Sequence, residues 1–335
     1  MPFLDKIITQ KSLSIVGLAK NVGKTETLNY ILRRLCSYPL KTALTSVGVD
    51  GESSDVLYKT PKPEIDVYEG SVFATAERFF HAKQMPAEIL AVSDRTTSLG
   101  RLVIARAKAT GRVLLAGPPD TYWLKNLIDE MSDYDVDLTI VDGALSRLSP
   151  GSPAVADSMV LATGAAVSIN RNELIRKTKF TYDLLRLPEV NADLQAHCMP
   201  IKQGVWALDS DNQLHDLNIS SVLLLAKYKE DLFRYGDTFF VPGMVSEGLL
   251  KYLVQHTKTK HVKVIATDFT KIFTSPKIYA EFLGKGGELW VLQQTKLIAI
   301  TVNPLSPQGF ILNSDDLCHS LSDALEIPVY DIKKI

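Results

Sequence analysis

The run Leu13-Ser14-Ile15-Val16-Gly17-Leu18-Ala19-Lys20-Asn21-Val22-Gly23-Lys24-Thr25 decides the fold of this chain. Leu13 to Val16 is a short apolar run and reads as a buried strand. Beyond Thr25 come Glu26 and Thr27, then Leu28, Ile31, Leu32 and Leu35 at helical spacing. A strand, a glycine-bearing loop closing on Gly-Lys-Thr and a helix make a phosphate-binding loop. Successive backbone amides and the positive helix N-terminus suit an anionic polyphosphate. On this reading Gly17, Lys20, Asn21, Val22, Gly23, Lys24, Thr25 and Glu26 surround a nucleotide. Lys24 reaches its terminal phosphates, and the Thr25 hydroxyl ligates Mg²⁺, a hard cation that prefers oxygen.

Working outward, Leu138-Thr139-Ile140-Val141-Asp142-Gly143 is the most strand-like run in the chain. Ligands of parallel α/β folds gather at the carboxyl ends of strands, so Asp142 is a candidate Mg²⁺ ligand. Asp50 follows another strand, Leu40 to Gly48, and is a candidate catalytic residue beside Lys24. Val49-Asp50-Gly51 equally suits a plain turn. Glu52 and Asp55 are weaker candidates. Lys20 is inside the loop. A solvated loop lysine is the simpler reading, and a phosphate contact across a homodimer interface is the other. The guanine-specifying Asn-Lys-x-Asp pattern is absent from the sequence, which favours ATP over GTP.

Strands alternating with helices through residues 1–190 indicate an α/β fold, a parallel sheet with helices on both faces. Residues 188–200 mix prolines with Asn191 and Asp193 and read as a boundary. The expected division is a nucleotide-binding domain over 1–190, able to bind by itself, and a mixed α/β partner-docking domain over 200–335. In the second domain a hairpin around Asp209–Asn212 and paired strands at 289–292 and 297–302 are expected. Val241-Pro242-Gly243-Met244-Val245-Ser246 runs from a strand into a helix. A packing turn is the preferred reading there, with an anion site as the alternative.

With 335 residues, 46% hydrophobic and 22% charged, the composition is that of a globular protein. A net charge of −1 argues against nucleic acid or an acidic membrane as a partner. Lys258, Lys260 and Lys263 read as a solvated run. Cys36, Cys198 and Cys318 are too far apart for a zinc motif. Free thiols and the lack of a long apolar run point to the cytoplasm.

The Gly17–Thr25 loop has five residues between its glycines where the standard loop has four. Dethiobiotin synthetase-type enzymes have that longer loop, ending in Val-Gly-Lys-Thr. The loop with Leu28-Asn29 also resembles the small subunit of the reactivase of lysine 5,6-aminomutase or ornithine aminomutase. So do Val141-Asp142-Gly143-Ala144-Leu145, Ser149-Pro150, Ser152-Pro153-Ala154, Ala156-Asp157 and Leu161-Ala162-Thr163-Gly164-Ala165. The likeness is firmest over residues 11–180. It implies an ATP-dependent factor that releases damaged adenosylcobalamin from an aminomutase, in company with a larger MutS-like ATPase subunit. No Asp-x-His-x-x-Gly cobalamin run occurs in this chain. The alternative is an ATP-dependent small-molecule ligase or kinase of the dethiobiotin synthetase type, though Ser46-Val47-Gly48-Val49-Asp50 replaces the lysine-rich strand end of that family.

Overall fold

The computed structural model describes residues 2–48, 64–144, 151–219, 232–256 and 261–335. A short helix α1 (Leu4–Ile7) leads into β1 (Ser12–Gly17), all six residues of which are buried. The loop follows, then α2 (Lys24–Leu35) and β2 (Thr42–Ser46). Next come β3 (Ile65–Val67), β4 (Val72–Ala76), α3 (Glu77–Ala82), β5 (Ala87–Thr97), β6 (Gly100–Ala107) and β7 (Gly111–Val113). Then follow α4 (Thr121–Ser132), β8 (Leu138–Ala144), β9 (Ser158–Gly164) and α5 (Arg171–Leu185).

The apolar strand runs split their side chains between two cores. Leu13, Ile15, Leu44 and Ile140 join Leu28, Ile31 and Leu35 of α2 on one face. Ala43 and Val141, one residue out of phase, join Trp123, Leu124, Leu127 and Met131 of α4 on the other. Successive strand side chains point to opposite faces, so a continuous apolar run is what a doubly covered strand requires. Burying Leu28, Ile31 and Leu35 is worth roughly 1.5–3 kcal/mol each, as an upper bound. Phe73 belongs to β4. β5 and β6 form an antiparallel hairpin.

The second compact unit covers residues 179–295. It contains α6 (Ala192–Cys198), β10 (Trp206–Leu208), β11 (Leu214–Asp216), β12 (Thr238–Val241), β13 (Val245–Ser246) and α7 (Glu247–His256). After these come β14 (Lys263–Ala266), a 3-10 turn (Phe269–Lys271), β15 (Ile272–Phe273), α8 (Pro276–Gly284) and β16 (Glu288–Val291). Its sheet has the order β11-β10-β12-β14-β16, with the β10–β11 hairpin antiparallel and β12, β14 and β16 parallel. Val190, Cys198, Phe240, Ile265 and Leu292 fill its core. Burial pushes the Cys198 thiol up to about 11. Lys263 lies over the Trp290 ring at 4.1 Å, a packing role; Lys258 and Lys260 fall outside the described residues.

The chain then returns. β17 (Lys296–Asn303), α9 (Ser314–Leu325) and β18 (Val329–Asp331) join residues 1–178 in the first unit. The nine-stranded sheet runs β18-β17-β9-β1-β8-β2-β4-β6-β5, parallel from β18 through β4. This corrects the division at 190/200. The second unit is an insertion, and β16 and β17, expected to pair, belong to different sheets. β17 is an apolar run whose backbone groups are satisfied beside β9. Its composition alone does not say which sheet receives it.

Candidate phosphate-binding site

β1 lies in the middle of the large sheet, between β8 and β9. From its carboxyl end the chain crosses through α2 to the β2 side, while β9 lies on the other. Such a reversal opens a crevice at the strand ends.

The loop doubles back over its own start. A Cβ on Gly17 would lie 2.6 Å from Val22 Cγ2 and 2.7 Å from Lys24 Cγ, so only glycine lets the Lys24 stem cross there. Val22 is buried. Asn21 and Gly23 both have positive φ, 61° and 86°. Gly23 is the N-cap of α2, and no side chain caps that helix. The Leu18 amide donates to the Ala162 carbonyl at 2.9 Å, tying the loop to β9. Thr25 is half-buried, and Lys20 and Glu26 are exposed.

Three charges meet at this loop. Burial pushes the Lys24 ammonium below its ordinary range; the Asp142 carboxylate raises it, and Lys20 lowers it further. Asp142 is on β8, in register with Ile15 of β1 and Ser46 of β2. The strand that ends in Lys24's loop and the strand that carries Asp142 are therefore neighbours. Thr25 and Asp142 supply hard oxygen donors of the kind Mg²⁺ takes together with water and substrate phosphates. Asp50, Glu52 and Asp55 lie outside the described residues.

One residue escaped the sequence reading. Asn303 ends β17, and its Nδ2 donates to the Asn21 carbonyl at 3.1 Å. It sits at the end of an apolar strand, as Asp142 does, and that signal was available in Leu297–Val302. Its assignment to a second domain hid it. Deeper in, Thr27 Oγ1 of α2 lies 3.0 Å from Thr301 Oγ1 of β17, both buried. A chain cut at residue 190 lacks both partners.

The Leu161–Ala165 block has a local explanation. Ala162 holds Leu18, the Ala165 amide donates to the Asn303 carbonyl at 2.9 Å, and Thr163 Oγ1 lies 2.9 Å from Thr178 Oγ1. Asp157 serves the other end of β1, where its amide donates to Ser12 Oγ and its carboxylate accepts from it.

A cleft of about 490 Å³ lies at the far end of α2, lined by Leu35, Tyr68, Ser71 and Arg106 among others. Cations there are already engaged, Lys41 with Asp135 and Arg106 with the Tyr134 carbonyl. In the second unit, Ser246 Oγ accepts from the Leu249 amide at the start of α7. Glu247 accepts from the Ser275 amide and pairs with Lys251, which with Ser275 holds its carboxyl down at about 2. A carboxylate already occupies that helix start, which disfavours a bound anion there, while Gly243 and Met244 of the turn are exposed.

No protein-family model matches the chain, and no curated protein matches it. Among solved structures, the signal recognition particle receptor FtsY from Elizabethkingia anophelis is similar at 10% identity, with a TM-score of 0.26. The match covers 94% of this chain and 65% of that one, so this chain spans about 65% of the receptor's length. A likeness at that TM-score says nothing about what this chain binds. No helix among the described residues is long and apolar enough to cross a membrane. The chain is a mixed α/β protein with a large, mostly parallel sheet, and a strand–loop–helix of phosphate-loop sequence stands at the centre of that sheet.

Proposed function

We propose that this chain is a Mg²⁺-dependent P-loop ATPase, with ATP on the Gly17–Thr25 loop. One observation carries the reading. The Lys24 stem crosses Gly17, and its ammonium shares an electrostatic environment with Asp142 on the adjacent strand. A partly desolvated lysine gains a charge-assisted contact from an arriving polyphosphate, which replaces the water it has lost. Amides of the first α2 turn and the loop would cradle the phosphates. Thr25 and Asp142 would hold Mg²⁺, which would neutralise charge on the phosphate oxygens. Asp50 remains the proposed residue for orienting the attacking water.

The finer reading follows from the resemblance over residues 11–180. On it, the protein spends ATP on remodelling another protein, an adenosylcobalamin-dependent aminomutase, together with a larger MutS-like ATPase. The discriminating experiment measures ATP turnover by the purified chain alone, with that protein pair, and with small carboxylates or amines. The reading expects slow turnover that rises with the proteins. Turnover that depends instead on a small carboxylate or amine sinks it and favours the ligase or kinase alternative.

A further inference from the structure

Asn21 holds a left-handed backbone in the loop, with φ 61°. A non-glycine residue in the left-handed region is uncommon, and such conformations persist where the surroundings hold them. Two residues on, Gly23 is also left-handed. Asn303 meets both. Its Nδ2 donates to the Asn21 carbonyl at 3.1 Å, and a Cβ placed on Gly23 would lie 3.1 Å from the Asn303 Cβ.

The Asn303 side chain is itself fixed. Its Oδ1 accepts from the Leu305 amide at 3.1 Å. The opposite amide orientation would set Oδ1 against the Asn21 carbonyl and Nδ2 against the Leu305 amide, two mismatches. The backbone around it is firm. The Asn303 carbonyl accepts from the Ala165 amide. Beyond Pro304, the Ser306 amide donates to the Phe310 carbonyl at 2.8 Å, and the Leu312 amide to the Pro304 carbonyl at 3.0 Å.

We infer that Asn303 is a positioning residue which holds the phosphate loop in its anion-binding shape before any nucleotide arrives. The role in binding rests on the nucleotide reading above; the bracing of the loop does not. Asn303 acts on the ligand through Asn21 and Gly23, by lowering the ordering that binding must impose on the loop. The site is therefore discontinuous in sequence. It is complete only when the chain has passed through the second unit and laid β17 beside β9.

The test uses the full-length chain, as wild type, Asn303→Ala, Asn303→Asp and Lys24→Ala. Asn303→Asp keeps the acceptor for the Leu305 amide and removes the donor to Asn21. Hydrogen exchange without nucleotide is expected to speed up over residues 18–23 in both Asn303 variants, with β1 and the later turns of α2 unchanged. MgATP affinity is expected to fall about fivefold in Asn303→Ala, the scale of one hydrogen bond. Unchanged loop exchange in both variants overturns the brace, whatever happens to affinity, since charge alone weakens MgATP binding in Asn303→Asp. Wild-type affinity in Asn303→Asp overturns it too. If Lys24→Ala binds MgATP like wild type, the nucleotide reading fails, while the exchange data still decide the brace.

Discussion

Two turns in this molecule carry a parallel strand through a glycine into a helix, and they are built differently. At the end of β1, Gly23 caps α2 without any side-chain cap, and Lys24 folds back across Gly17. At the end of β12, a Cβ on Gly243 would meet nothing within 4 Å; Ser246 then accepts from the start of α7 and Glu247 supplies a carboxylate there. A helix N-terminus attracts anions in both places. The protein satisfies one of them itself and leaves the other without a cap. The lesson is that strand–glycine–helix is only a frame. On the proposed reading, an anion site also needs an uncapped first turn and a cation that arrives from the loop.

The sharpest way to break this contrast is Lys24→Ala. MgATP affinity measured by calorimetry should drop by about a hundredfold, at the upper end for a charge-assisted phosphate contact. The unfolding midpoint of the empty protein should change little. Equal affinity in mutant and wild type removes the distinction between the two turns.

Next comes the pair Gly17→Ala and Gly243→Ala. At Gly17 the added carbon runs into Val22 and Lys24, so the loop must shift. The expected cost is about 1–3 kcal/mol, with loss of nucleotide binding. At Gly243 the added carbon has open space, and stability should hold or rise by up to about 1 kcal/mol. Denaturant titration of both variants checks this, and similar costs at both sites count against the account of the loop.

Asp142→Asn is a milder probe. An amide is a poorer ligand than a carboxylate for a hard cation, so binding with Mg²⁺ should weaken by about tenfold, and binding in excess chelator by less. An equal loss under both conditions makes Asp142 a purely structural neighbour of Lys24.

The smallest effect concerns Glu247. Its folded pKa is depressed from 4.5 to about 2 by Lys251 and Ser275, so its stabilising contribution is present above pH 4.5 and fades as pH falls towards 2. Thermal unfolding of wild type and Glu247→Gln should therefore differ most near neutral pH and converge over that window. The carboxylate is solvent-exposed, which keeps the difference small. A difference that grows on acidification contradicts the stated role of Glu247.

The contrast also explains what could be read in advance. Gly17, Lys24, Thr25 and the apolar spacing of α2 were legible because their contacts span a few residues. Val22 and Lys24 meet Gly17 within the same loop. Asp142 stood out as a candidate because a carboxylate closing an apolar run lies near the carboxyl end of a parallel strand. The start of α8 is equally local, with Ser275 as its cap and Pro276 in its first turn.

By itself, then, the sequence determined the local pieces: an α/β alternation, a phosphate-loop motif, and a carboxylate at a strand end. These depend on periodicity and steric demands within a dozen residues. The tertiary structure alone decided that residues 179–295 are an insertion and that β17 lies beside β9. It also decided that Asn303 reaches a loop 282 positions away. An apolar strand can satisfy its backbone beside any open edge, and hydrophobic burial has no direction. Which edge it takes is set by the competition among all the strands at once, and no short stretch of residues records that outcome.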